Sequence, residues 1–99
     1  MNLPVVFHPI ARADLVGIWQ WTAAKSGSVQ AEVYLEGLQG SFNFLAIAPE
    51  IARERTDFAP PVRPLPHRSH LMIFVADDLG LEVLRVVHAN SIWRGLAVE

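Results

Sequence analysis

Leu-Glu-Val-Leu-Arg-Val-Val-His, residues 81–88, and His-Leu-Met-Ile-Phe-Val-Ala, residues 70–76, decide the fold. Both runs are rich in branched and aromatic side chains, and the turn-like Asp77-Asp78-Leu79-Gly80 separates them, so they read as two strands of an antiparallel hairpin. A lone hairpin is marginal in water and needs a hydrophobic layer on one face, which two helical segments earlier in the chain can supply. Leu71 to Val75 is apolar without alternation, as in a central strand covered on both faces. In the last run, regular pleating points Leu81, Val83, Arg85 and Val87 one way and Glu82, Leu84, Val86 and His88 the other. Each face then carries both apolar and polar groups, and periodicity does not choose between them.

Working outward, Leu3 to Phe7 is a short apolar run whose Pro4 cannot donate to a ladder, so this strand begins at an edge or outside the pairing. Pro9 suits the first turn of a helix, and Ala11, Leu15, Ile18 and Thr22, with Trp19 beside them, give that helix an apolar stripe. It should end near Ser26-Gly27, where glycine can take a left-handed conformation. Ser28 is the expected N-cap of a second helix, with Ala31, Leu35, Leu38, Phe42 and Leu45 as its stripe and Pro49 beyond its end. The short connection makes the two helices an antiparallel hairpin. Gly37 and Gly40 lie inside the second helix, each costing about 1 kcal/mol relative to Ala. Residues 49–61 read as a polar loop with room for a helical turn, and Val62 to Pro66 as a short strand confined to an edge by its prolines. The tail from Ile92, with Trp93, Leu96 and Val98, is apolar enough to pack back on the sheet. No repeat or linker divides residues 1–99, so one domain is expected. The class is α+β in two layers: an N-terminal strand, an antiparallel helical hairpin, then an antiparallel β-meander.

A 99-residue chain buries only about 60–65% of its unfolded surface, so little core is spare. With 52% hydrophobic and 18% charged residues the chain is no disordered segment, and it leans toward hiding apolar surface against a partner. No run approaches the ~18 apolar residues of a membrane helix, and the N-terminus lacks a basic region followed by an apolar signal core, so a soluble cytoplasmic protein without membrane contact is expected. The absence of Cys removes disulfides and thiolate metal sites. A net charge of -2 and a pI near 6.0 lack the basic balance of proteins that bind nucleic acid through counterion release. No Gly-rich phosphate loop, Ser-His-Asp arrangement or metal-ligand spacing occurs, and neither cofactor nor metal is expected. His67, Arg68 and His70 lie at a spacing that suits neither one helix face nor one strand face.

The order strand, helix, helix, meander, together with particular residues, resembles the RelE/ParE superfamily of bacterial toxin proteins, and its ParE-like branch in particular. The resemblance rests on Phe7, Pro9, Ala11, Asp14-Leu15 and Ile18-Trp19; on Ala31, Tyr34, Leu38, Phe42, Leu45 and Pro49; and on Arg53, Arg55, Arg63, His70 and Arg85-Val86-Val87-His88. It implies a helical hairpin packed on an antiparallel sheet with the first strand beside the last. It also implies a ParD-like antitoxin that binds DNA itself and wraps the toxin, giving a hetero-oligomer that meets DNA only indirectly. ParE-like toxins are known for poisoning DNA gyrase without an enzymatic activity, whereas RelE-like relatives cut mRNA on the ribosome. Three departures stand out: Ala52 where a Gly usually precedes the Arg, Pro60-Pro61 near where a Gly commonly precedes Arg63, and Ser91-Ile92-Trp93 in place of a basic-acidic ending.

An mRNA-cutting member must activate a ribose hydroxyl and stabilise a crowded phosphate, which needs a base or acid beside cations. The alternative nuclease set is Arg63, Arg85 and His88. The single Lys25 and single Tyr34 fall in the helical segments, off the sheet, which depletes the set that such nucleases concentrate there. The favoured reading is therefore a non-enzymatic toxin with no catalytic residue, contacting antitoxin or target through Arg53, Arg55, Arg63, Arg85 and Trp93. A toxin-like protein that only binds its antitoxin is the third reading. Among the Arg residues, a solvated loop with weak ion pairs to Glu54 and Asp57 is the plainer role. Arg85 pairs with Glu82 or Asp14, or meets an acidic partner segment. His88 at a strand end near an Arg is ordinarily a hydrogen-bonded structural residue. Trp19 is expected in the core, and Trp21 and Trp93 at places where large aromatics anchor interfaces, with core or tail packing the plainer role for Trp93.

Overall fold

The computed structural model describes residues 3–56 and 61–90. Strand β1 (Val5–Phe7) leads into helix α1 (Pro9–Ser26) and helix α2 (Ser28–Ile47). A 3₁₀ turn (Pro49–Ile51) follows, then β2 (Arg63–His67), β3 (His70–Ala76) and β4 (Leu81–His88). The sheet order is β1-β4-β3-β2, so β2 lies at an edge, as its Pro64 and Pro66 require, and β3 is central. β3 pairs antiparallel with both neighbours, but β1 runs parallel to β4, Val5 opposite Leu81 and Phe7 opposite Val83. The first strand does lie beside the last; the sheet it joins is mixed rather than antiparallel throughout. Helix α2 brings the chain back to the end of the sheet where β1 begins, the Leu3 N–H donating to the Ala46 carbonyl, so β2 and, two reversals later, β4 run in the direction of β1.

Helix α1 starts with Pro9 in its first turn, and the His8 ring caps it, Nδ1 accepting the Ile10 N–H at 3.1 Å. Gly27 ends α1 with φ +92°, a backbone that only glycine adopts without strain, and donates its N–H to the Ala23 carbonyl. The same Gly27 is the N-cap of α2: Ser28 is already its first helical residue, and no side chain caps it. The expected Ser28 cap is thus displaced by one position, because one glycine serves both helix ends. Gly80 has a steric duty, since a Cβ there would stand 3.0 Å from the Pro4 carbonyl oxygen, which accepts the Leu81 N–H at 2.9 Å. Beside it the Asp77 carboxylate accepts the N–H groups of Leu79 and Gly80, closing the β3–β4 turn.

The core lies between the helices and the sheet. Ala11 and Ile18 from α1, with Leu38, Phe42 and Leu45 from α2, meet Met72 and Phe74 of β3 and Leu81, Val83 and Val86 of β4. Phe7 packs edge-on against Phe42 with ring centroids 5.0 Å apart. Val62, Ile73, Leu84 and Val87 form a second buried cluster. Regular alternation along β4 fails. Phe74 faces Val83 while Ile73 faces Arg85, leaving Leu84 as an extra residue in a β-bulge. Leu81 and Val83 therefore share the helix-side core with Val86, and Val87 joins Leu84 in the other cluster. Trp19 is only partly buried, its Nε1 donating to Glu32 Oε2 at 2.7 Å on the helix surface, so the expected core tryptophan is an inter-helix tie instead.

Candidate functional site

The bulge in β4 sets up the first polar constellation. β1 stops at Phe7, so among the described residues no strand borders the outer edge of β4 beyond Val83. Asp14, on α1, occupies that edge: its Oδ2 accepts the Val86 N–H at 2.9 Å and Arg85 Nε at 2.8 Å, and its Oδ1 accepts Arg85 Nη2 at 3.1 Å. One carboxylate satisfies a strand-edge donor and grips a guanidinium in a bidentate fork. The Arg85 charge is held by this pair, and the Asp14 hydrogen bond pushes its pKa up further. Of the two sequence-based partners for Arg85, Asp14 is the one engaged.

The second constellation is a row of imidazoles. His67 pairs with His70 across the two-residue Arg68-Ser69 turn, and His70 pairs with His88 on the next strand. Arg68 takes φ +52°, the sole non-glycine positive φ among the described residues. Tyr34 reaches down from α2, placing its hydroxyl 2.6 Å from His70 Nδ1 and 3.4 Å from the His67 carbonyl. Its ring also lies edge-on to both imidazoles. Ser41 Oγ holds His67 Nδ1 at 2.9 Å, and the His70 and His88 rings are 5.7 Å apart. Burial lowers the His70 pKa, with His88 and then His67 adding repulsion; burial and then Arg68 lower that of His67. Burial raises Tyr34. At neutral pH, His70 is an uncharged imidazole, and its tautomer sets whether Nδ1 accepts from the Tyr34 hydroxyl or donates to it.

Asp14, Arg85, Tyr34, His70 and His88 border one groove of about 660 Å³ between the helices and the far end of β4, where Trp21, Ile18, Val86 and Val87 give it apolar walls. Trp21 is 61% exposed, as its place off the α1 stripe predicted. The loop arginines lie elsewhere. Arg63 begins β2 and donates Nη1 to the Ala52 carbonyl at 2.6 Å. Arg55 joins Val62 in an isolated antiparallel bridge, and Arg53 is exposed. Structure thus separates the expected contact residues into a loop group of Arg53, Arg55 and Arg63 and, at the groove, Arg85, which there joins His88 of the alternative nuclease set. Trp93, the tail, Asp57 and Pro60 lie outside the described residues. Asn90 donates its N–H to His88 Nδ1 at 3.2 Å.

Sequence reading set Tyr34 apart from the sheet because it lies in a helix, and missed its bond to His70. A signal for the imidazole row did exist: a two-residue hairpin turn at Arg68-Ser69 necessarily sets residues 67 and 70 opposite each other. No group of three or more His, Asp or Glu among the described residues is arranged to hold a metal ion. No helix among them is long and apolar enough to cross a membrane.

The fold is a helical hairpin on a four-stranded mixed sheet, with the first strand beside the last. It matches a solved structure of the chromosomal ParDE TA system from P. aeruginosa with a TM-score of 0.75, over 88% of this chain and 96% of that one at 18% identity. Residues 5–93 fit the family described as the ParE toxin of type II toxin-antitoxin system, parDE. Toxin ParE1 from two Mycobacterium tuberculosis strains, CDC 1551 / Oshkosh and ATCC 25618 / H37Rv, is 34% identical over 89 residues, which is 89% of this chain and 91% of the relative. The chain belongs to the ParE toxin family of type II toxin–antitoxin systems.

Proposed function

We propose that this ParE-family toxin acts in the cytoplasm by inhibiting DNA gyrase without catalysing a reaction, and that a cognate ParD-like antitoxin neutralises it. The observation that carries the non-enzymatic reading is the Asp14–Arg85 fork. A phosphodiester-cleaving site needs a cation available to the phosphate, and the Arg bordering the groove already has its charge matched by a carboxylate within the same chain. The loop arginines, Arg53 foremost, are the surface offered to target or antitoxin. The experiment is a gyrase assay with purified antitoxin-free protein, scoring lost supercoiling and trapped DNA cleavage. Dose-dependent inhibition reversed by antitoxin is the expected result; a folded sample with no effect on gyrase would sink the reading.

One observation favours a second reading, a RelE-like endoribonuclease using Arg63, Arg85 and His88. His88 stands beside His70, itself bonded to Tyr34, so the groove has two imidazoles within reach of one ligand. Translation-dependent mRNA cutting that disappears in His88→Ala, with gyrase untouched, would establish it over the first.

A further inference from the structure

Glycine is the residue that backbone geometry favours at position 68, and arginine stands there. Arg68 is the first of the two residues linking His67 to His70, and its φ is +52° while that of Ser69 is not positive. Those signs belong to the hairpin turn whose first central position glycine normally holds, because a side chain there crowds its own backbone. The surroundings fix this conformation. The His67 carbonyl accepts the Tyr34 hydroxyl at 3.4 Å, Ser41 Oγ holds the His67 ring, and the Ser69 carbonyl accepts the Ala89 N–H at 2.8 Å. Residues strained in this way persist where neighbours over-determine them, and they cluster at ligand clamps and recognition sites.

Packing inside the chain gives Arg68 no reason to replace glycine. Its side chain is exposed, and among the described residues its guanidinium has neither a hydrogen bond nor an ion pair. Arg12, Arg63 and Arg85 are each bonded to a carbonyl or a carboxylate, and Lys25 lies over the Trp21 ring. The corner around Arg68 is also short of negative charge. Ser69 and His70 lead from it into the groove lining, where Asp14 is the sole carboxylate among the described residues and is already matched to Arg85. The Arg68 charge is felt at Tyr34 and His67, and no anion there answers it. In a chain of net charge -2, this is a cationic corner beside apolar walls.

We propose that Arg68 is a recognition residue for a carboxylate on the antitoxin, carried by a segment that is apolar where it meets the groove and acidic at its rim. This role rests on the proposed neutralisation by a cognate antitoxin and adds the residue that reads the partner's charge. A guanidinium offers a carboxylate two parallel N–H donors, and a turn with a fixed backbone presents them with little freedom left to lose. The acidic balance of the chain opposes a polyanion such as nucleic acid, whereas one carboxylate on an apolar segment matches one cation beside an apolar wall.

The test titrates full-length wild type and the variants Arg68→Gly, Arg68→Ala and Arg68→Glu against purified full-length cognate antitoxin, with melting of each free toxin followed in parallel. Arg68→Gly relieves the turn, so it should melt about 3 °C above wild type even though glycine adds freedom to the unfolded chain. It should nevertheless bind antitoxin at least about tenfold more weakly. Arg68→Ala keeps the strain and should bind as weakly as Arg68→Gly, which separates the lost guanidinium from the loosened turn. Arg68→Glu should bind most weakly of all, since like charge then faces the carboxylate. Unchanged antitoxin affinity in Arg68→Gly and Arg68→Ala, equal affinities for Arg68→Ala and Arg68→Glu, or an Arg68→Gly variant that melts below wild type would overturn this role. Unchanged antitoxin affinity together with lost gyrase inhibition or lost mRNA cutting would assign Arg68 to the target instead. A wild type that binds no antitoxin would remove the neutralisation reading itself, an outcome distinct from wild-type binding that the variants share.

Discussion

At the far end of β4, Asp14 grips Arg85 and the Val86 N–H while Tyr34 and Ser41 hold two of three aligned imidazoles; at the start of β2, Arg63 has one bond to a carbonyl and Arg53 stands in solvent. Polar side chains at the first end are committed to joining helices to strands. Those at the second hang from a loop whose backbone is fastened by Arg55 and Val62. Removing a charge should therefore cost folding at one end and recognition at the other. Cationic residues of equal formal charge serve different links of the chain from sequence to function.

The largest test of this contrast is Asp14→Ala. It leaves Arg85 without its counter-ion, although the side chains are only 17% and 16% exposed, and orphans the Val86 N–H. Fully buried pairs lose more; here about 2–3 kcal/mol of unfolding free energy should disappear in a urea titration. A loss below that of Arg63→Ala would break the comparison. Tyr34→Phe comes next, at about 1 kcal/mol, by deleting one hydroxyl that ties α2 to β3.

Acid probes the same end without mutation. The folded-state pKa values of His67 and His70 lie below the unfolded 6.5, so the unfolded chain binds more protons as pH falls. Their contribution is complete above pH 6.5 and is lost as pH drops through and below that value. Wild-type stability should decline from pH 7.5 to 5, and His70→Phe should flatten the decline; an unchanged slope would remove the imidazole row from the account. The smallest stability effect is expected for Arg53→Ala, within about 0.5 kcal/mol of wild type. Its gyrase inhibition or antitoxin affinity should nevertheless weaken, more visibly at low salt.

Much of this framework is legible in the sequence because its signals are local. Pro9, Gly27 and Pro49 punctuate the helices, and the unalternating Leu71 to Val75 marks the central strand. What escapes is non-local or breaks a period. The bulge at Leu84 redirects the following side chains, and nothing in a run of branched residues announces it. The Tyr34–His70 bond joins residues far apart in sequence, so only the packed hairpin brings it about. Asp14 and Arg85 were each conspicuous, and choosing Asp14 over Glu82 required knowing that β1 ends early and bares the β4 edge. Arg53, Arg55 and Arg63 could be grouped from spacing, but their separation from Arg85 follows from strand register.

The parallel pairing of β1 with β4 bears on when this sheet can close during synthesis. Val5 to Phe7 find their ladder partner in Leu81 to Val83, made only after both helices, β2 and β3, and a chain still lacking β4 also lacks Arg85 for Asp14 and Val83 for the core. Closure across the helices, β2 and β3 is slow compared with forming the helical hairpin, and it cannot begin until β4 leaves the ribosome. A translation product stalled before Leu81 would hence be an incomplete sheet, so the fold itself delays closure of the sheet until β4 is made.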